Sequence, residues 1–176
     1  MNWFCCLDES GSTTGQPAAW GKAVALTLLE IAESEGRKFA LIHFSWPGNV
    51  KTDIFIPKQY TMEDKLCAAE TFLDGGTDFH SPLKEAIRLI QEEHFENADV
   101  LFITDGECEL SKGFLEFLHE TQLTYKFTAT GVLLDQYRKC MSSIMSEFYQ
   151  VILRTSVLAF EQIMQTAIDI HNKTPI

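Results

Sequence analysis

Short unbroken apolar runs alternate along this chain with longer stretches in which apolar residues recur every three or four positions. Trp3-Phe4-Cys5-Cys6-Leu7 is the first run and reads as a buried parallel strand. Ala18 to Glu35 carries Ala19, Ala23, Leu26, Leu29 and Ile31-Ala32 as a helical stripe, closed by Gly36. Phe39 to Phe44 is a second buried strand, followed by a Pro47-Gly48-Asn49 turn. Lys51 to Ile56 alternates polar and apolar residues, as an edge strand does, and so short a connection makes it antiparallel to its predecessor. Thr61 to Phe72 reads as a helix with Thr61 as N-cap and Asp64 three residues on. Ser81 to Glu93 reads as another, capped by Ser81 with Pro82 in the first position.

Ala98 to Thr104 is a third buried strand, and Ser111 caps the helix after it. Tyr125 to Val132 and Tyr149 to Leu153 complete the strands, with a short helix from Tyr137 to Met145 and a closing helix from Val157 to Ile170. The order predicts an α/β fold: a doubly wound, Rossmann-like, mainly parallel six-stranded sheet with one antiparallel edge strand and helices on both faces. Residues 1–176 are expected to form one domain. The chain begins in a strand with no lead-in, so a domain cut from a longer protein is an open reading.

Composition narrows the function. A net charge of −11 disfavours nucleic acid and anionic membrane as partners and favours cations. The five cysteines are Cys5, Cys6, Cys67, Cys108 and Cys140; they form no C-x-x-C pair, and a reducing, cytoplasmic setting is expected. Cys5 and Cys6 are expected to act as small apolar groups, and Cys108 has no visible basic neighbour to activate it. No signal peptide is expected from the opening residues, and no apolar run approaches the ~20 residues of a membrane helix. The five histidines lack zinc spacing, and His80 is expected to lead into the Ser81 cap. Trp20 and Trp46 are expected in the core or at its rim, and Phe160, Ile163, Met164, Ala167 and Ile170 on the buried face of the closing helix.

The chemistry lies in three loops. Asp8-Glu9-Ser10-Gly11-Ser12 leaves the first strand, Thr77 follows a Gly-Gly pair before a helix, and Asp105-Gly106 leaves the third buried strand. In a doubly wound sheet the first and third open at the same edge, where ligands bind. Asp8, Ser10, Ser12, Thr77 and Asp105 would offer three hydroxyls and two carboxylates to a hard divalent cation, Mg²⁺ above all, with Mn²⁺ or Ca²⁺ also suited. Hydroxyl ligands leave such a cation electrophilic, able to accept a carboxylate from a partner. Two other readings compete. In one, Asp8 is the nucleophile of a Mg²⁺-dependent phosphoryl hydrolase, although Ser10 stands where such a site wants a second carboxylate. In the other, the domain is structural.

Asp-x-Ser-x-Ser after the first strand, Thr77 in a Gly-Gly-Thr-Asp loop and Thr104-Asp105-Gly106 after a central strand resemble the metal-ion-dependent adhesion site of von Willebrand factor A (VWA) domains. The resemblance spans nearly the whole chain. It implies that Ser10, Ser12 and often Thr77 contact the metal, that Asp8 and Asp105 act largely through water, and that a protein partner supplies an acidic residue. Gly75-Gly76-Thr77-Asp78-Phe79 before a helix is most similar to intracellular bacterial VWA proteins of the CoxE-like and ViaA-like group. Some of these work with MoxR-type AAA+ ATPases, a link made by analogy. Glu9, Asp78, Glu107 and Glu109 are expected to make an acidic rim, which a partner would answer with Lys or Arg around its carboxylate unless the glutamates join a metal.

Overall fold

A computed structural model describes residues 2–92, 98–105, 108, 110–134 and 147–150. The apolar runs form strands β1 (Trp3–Asp8), β2 (Phe39–Phe44), β3 (Val50–Phe55), β4 (Asp99–Thr104), β5 (Thr128–Leu133) and β6 (Glu147–Gln150). The periodic segments form helices α1 (Gln16–Ser34), α2 (Met62–Glu70), α3 (His80–Glu92) and α4 (Lys112–Tyr125), and a single 3-10 turn, Gly11–Thr13, follows β1. The strands lie in the order β3-β2-β1-β4-β5-β6. Every pairing is parallel except β2 with β3, which run antiparallel through the tight turn between them. Strand order reverses between β1 and β4, so the carboxyl ends of these two strands flank the switch point where α/β sheets take ligands.

The period-2 alternation of each strand divides the core into two layers. Phe4, Cys6, Ile42, Phe44, Val100 and Phe102 pack with Leu83, Ile87 and Ile90 of α3 and Phe114 and Leu118 of α4. Trp3, Cys5, Leu7, Phe39, Leu41, Leu101 and Ile103 face the other way, onto Trp20, Val24, Leu28 and Leu29 of α1 and Ala68 of α2. Each large apolar side chain so buried contributes about 1.5–3 kcal/mol. Both cysteines of β1 are fully buried, one in each layer, and burial pushes both thiols up. An aromatic cluster sits beneath the switch point: Phe79 packs edge-on against Phe44 and Phe102, with centroids 6.0 and 5.0 Å apart. Phe79 thereby draws the loop ahead of α3 down onto the ends of β2 and β4.

Local chemistry shifts several boundaries. α3 begins at His80 rather than Ser81, because Asp78, not Ser81, caps it: the Asp78 carboxylate accepts from the His80 and Ser81 amides at 3.1 and 3.0 Å. Ser81 Oγ donates to the same carboxylate at 2.5 Å and accepts from Gly48 N at 3.0 Å, tying the β2–β3 turn to the helix start. A charged acceptor outcompetes a hydroxyl for these amides. β5 starts at Thr128 rather than Tyr125, since α4 runs on through Tyr125 and ends where Lys126 takes the left-handed conformation, φ 53°. The Thr61 cap of α2 forms as a full capping box with Asp64, although the helix stops at Glu70, two residues early. Ser111 caps α4 through Phe114 N. The segments 137–145 and 157–170, read as helices, lie outside the described residues.

Candidate metal centre

Asp8 is the last residue of β1 and is buried under its own exit loop. Its Oδ1 accepts from Ser10 N at 3.0 Å, and its Oδ2 accepts from Thr104 Oγ1, at the end of β4, at 2.5 Å. The 3-10 turn curls the next residues back over it: Thr13 Oγ1 donates to the carbonyls of Ser10 at 2.8 Å and Asp8 at 3.2 Å. The curl sets Ser10 Oγ 3.0 Å from Ser12 Oγ, with Ser10 buried and Ser12 exposed. Two hydroxyls are thus side by side at the mouth of the switch point, above a carboxylate that neutral donors hold. Burial, helped by the nearby charge of Asp105, raises the Asp8 carboxyl to about 6 against the opposing bonds from Thr104 and Ser10.

Asp105 follows β4 directly and is buried at the same edge, one strand over from Asp8. The loop bearing Thr77 arrives from the other side. Gly11 N donates to Gly75 O at 2.8 Å, and Asp78 N donates to Ser45 O at 2.7 Å, so Thr77 is pinned between two backbone bonds. Among the described residues no hydrogen bond joins Thr77 to Asp8, Ser10 or Ser12. The approach of the two loops depends on Gly11: a Cβ there would meet Asp74 Oδ1 at 3.0 Å and Gly75 O at 3.3 Å. Gly75 itself has φ +94° and lies against Trp46, which is 58% exposed on the rim. Trp20, by contrast, is core. The three loops therefore meet at one edge. Among the described residues no three His, Cys, Asp or Glu side chains gather as a metal cluster.

The acidic rim is smaller than the residue types imply. Glu9 is not on it: the side chain is buried, with Oε1 2.9 Å from His43 Nδ1 and Oε2 3.6 Å from Lys22 Nζ. His43 Nε2 lies 3.3 Å from Asp53 Oδ2, which also pairs with Lys51 at 3.0 Å. Burial opposes the charged form of His43, but its bonds to Asp53 and Glu9 and their charges hold it above its ordinary value. The same contact with His43 lowers Asp53, against partial burial and helped by Lys51. Asp78 is likewise spent inside, as the α3 cap; burial would raise it, but the bonds from Ser81 and His80 hold it low. Glu107 and Glu109 lie outside the described residues.

The Glu9–His43 pair was not among the residues that sequence reasoning singled out. Its signal is parity: Leu7 and Leu41 face α1, so Glu9 and His43, two residues on, face it too.

No family model matches the chain. It is 30% identical over 167 residues to an uncharacterized protein of Methanocaldococcus jannaschii, covering 93% of this chain and 41% of that one. It is 29% identical over 142 residues to the regulatory protein ViaA of Photorhabdus laumondii, covering 78% of this chain and 28% of ViaA. The chain thus spans less than half the length of these relatives. Among solved structures it superposes on the protein BatB of Bacteroides thetaiotaomicron with a TM-score of 0.67 at 16% identity, over 96% of this chain and 99% of that one. It superposes on a von Willebrand factor type A protein of Catenulispora acidiphila with a TM-score of 0.66 at 16% identity, over 94% of this chain and 41% of that one. Among the described residues no helix is long and apolar enough to cross a membrane. The chain is folded as a von Willebrand factor A domain.

Proposed function

We propose that this domain is a Mg²⁺-dependent protein-interaction module, in which a cation held by Ser10, Ser12 and Thr77, with Asp8 and Asp105 acting largely through water, receives an acidic residue of a partner. The observation that carries the reading is the 3.0 Å separation of the Ser10 and Ser12 hydroxyls above Asp8. That contact is a hydrogen bond between the two hydroxyls, and it leaves both oxygens close enough to serve as neighbouring ligands of one hard divalent cation. Mg²⁺ is the cation proposed, and Mn²⁺ or Ca²⁺ also suits oxygen ligands. A cation there would also offset the two buried carboxylates that face each other across β1 and β4. Bound Mg²⁺ supplies Lewis acidity toward a carboxylate. This chain's own part is to present the hydroxyls, hold Asp8 through Thr104 and keep both acids from the surface.

Binding is favoured over phosphoryl hydrolysis. A hydrolase needs a proton donor beside Asp8, and the position two residues on is a serine engaged with its neighbour's hydroxyl. The fold and the similarity to a protein named as regulatory support a role through protein partners. By the resemblance drawn from the sequence motifs, a MoxR-type AAA+ ATPase is the partner class to test first. Calorimetric titration with Mg²⁺ should give binding in the wild type and none in Asp8→Ala, with no turnover of 4-nitrophenyl phosphate by either. Equal heats in the two proteins would remove the cation from the account. Association with a purified MoxR-type ATPase should vanish in EDTA, and association that survives EDTA would contradict a metal-bridged contact.

A further inference from the structure

Glu9, His43, Asp53, Lys51, Thr71 and Lys22 form a closed circuit. Glu9 meets His43 at 2.9 Å, His43 meets Asp53 at 3.3 Å and Asp53 meets Lys51 at 3.0 Å. Lys51 Nζ then donates to Thr71 Oγ1 at 2.7 Å, and Lys22 Nζ donates to the Thr71 carbonyl while standing 3.6 Å from Glu9. Thr71 is the C-cap of α2, and its own hydroxyl donates back to Cys67 O at 2.8 Å, which leaves its oxygen to accept from Lys51. The circuit therefore joins β1, β2, β3, α1 and the end of α2.

Two of its members sit at the roots of site loops. Glu9 opens the Asp8–Ser12 loop, and Thr71 opens the loop that runs through Asp74, Gly75 and Thr77 to the α3 cap. At their far ends these loops meet through the Gly11–Gly75 backbone bond. We propose that this buried circuit holds the two loops in register, which makes Glu9, His43, Lys22 and Lys51 positioning residues of the candidate cation site. The proposal rests on the cation-site reading for its consequence but not for its geometry. It gives Glu9 a role opposite to that of a ligand: its carboxylate faces α1, is buried among cations, and acts on the site only through the loop it anchors.

Simple electrostatics and positioning disagree at the lysines. Removing Lys51 or Lys22 deletes a positive charge and would by Coulomb attraction alone tighten cation binding. Positioning expects the reverse. The test uses Lys51→Met, at a half-exposed side chain, and Glu9→Gln. Amide hydrogen exchange in metal-free protein should speed up about tenfold at Gly11 in both variants, with β4 amides unchanged. Mn²⁺ affinity measured by calorimetry should fall several-fold in both. Unchanged Gly11 exchange in both variants would overturn the proposal, and so would tighter Mn²⁺ binding by Lys51→Met. If the wild type binds no Mn²⁺ while Gly11 exchange still accelerates, the cation reading fails and the register-holding circuit stands.

Discussion

Asp8 and Glu9 are consecutive carboxylates, both buried, on opposite faces of one strand end, and they are held in opposite ways. Glu9 lies between Lys22 and a His43 that is held toward its charged form. Asp8 accepts from a backbone amide and a threonine hydroxyl, with another carboxylate, Asp105, near by. Cations offset the charge of the first, through a hydrogen bond at Oε1 and a looser ion pair at Oε2. Neutral donors satisfy the geometry of the second but not its charge. Burial alone does not tell a structural acid from a functional one. The sign of the surroundings does, and it is set by which layer of the sheet each side chain enters.

The largest expected effect comes from breaking the paired side of this comparison. Glu9→Ala leaves His43 and Lys22 buried or half-buried opposite a void, and should lower unfolding free energy by about 3 kcal/mol in urea titrations. A loss below about 1 kcal/mol would mean that water already serves these cations. Asp8→Asn should do the opposite in metal-free protein: it removes a buried charge held by neutral donors and raises stability by about 1–2 kcal/mol at neutral pH. Destabilisation of similar size would show that Asp8 has a cationic partner of its own. Gly11→Ala forces the first loop off Gly75 and should cost about 1–3 kcal/mol, with faster proteolysis of the 8–14 and 71–78 segments as the check.

The smallest effect is the pH dependence that His43 contributes on the paired side. The groups facing His43 are Glu9 from β1 and Asp53 from β3, with Lys22 of α1 behind Glu9 and Lys51 behind Asp53. His43 is raised in the folded state, so its contribution is complete below about pH 6.5 and is lost as pH rises through the folded value. Asp53 is lowered, so its contribution holds above about pH 3.8 and is lost as pH falls through its folded value. His43→Gln should therefore cost about 1 kcal/mol more at pH 5.5 than at pH 9. An equal penalty at both would show that His43 is neutral throughout.

The sequence carried the fold because its strands are pure: Phe39–Phe44 and Asp99–Thr104 have little in them but apolar side chains, and caps such as Thr61 with Asp64 are local. Two of the loops were legible for a related reason, since they hang from the ends of such strands and the meeting of Asp8, Ser10 and Thr104 follows from parallel pairing, whereas the loop bearing Thr77 joins α2 to α3. Competition between nearby acceptors was not legible. Asp78 and Ser81 both suit a cap, and only the folded loop shows that the carboxylate takes the amides while the serine turns to Gly48. The partners of Glu9 were hidden because they lie 13 and 34 residues away on α1 and β2, although strand parity already placed Glu9, His43, Asp53 and Lys51 on one face.

The comparison between the two acids is tested most directly by diffraction from crystals grown with Mn²⁺, using its anomalous signal to place the ion. The account predicts one peak at the β1–β4 edge, within direct ligand distance of Ser10 and Ser12, with Glu9 still turned toward His43 and Lys22. A peak on Glu9, or none at that edge with Mn²⁺ in excess, would contradict it.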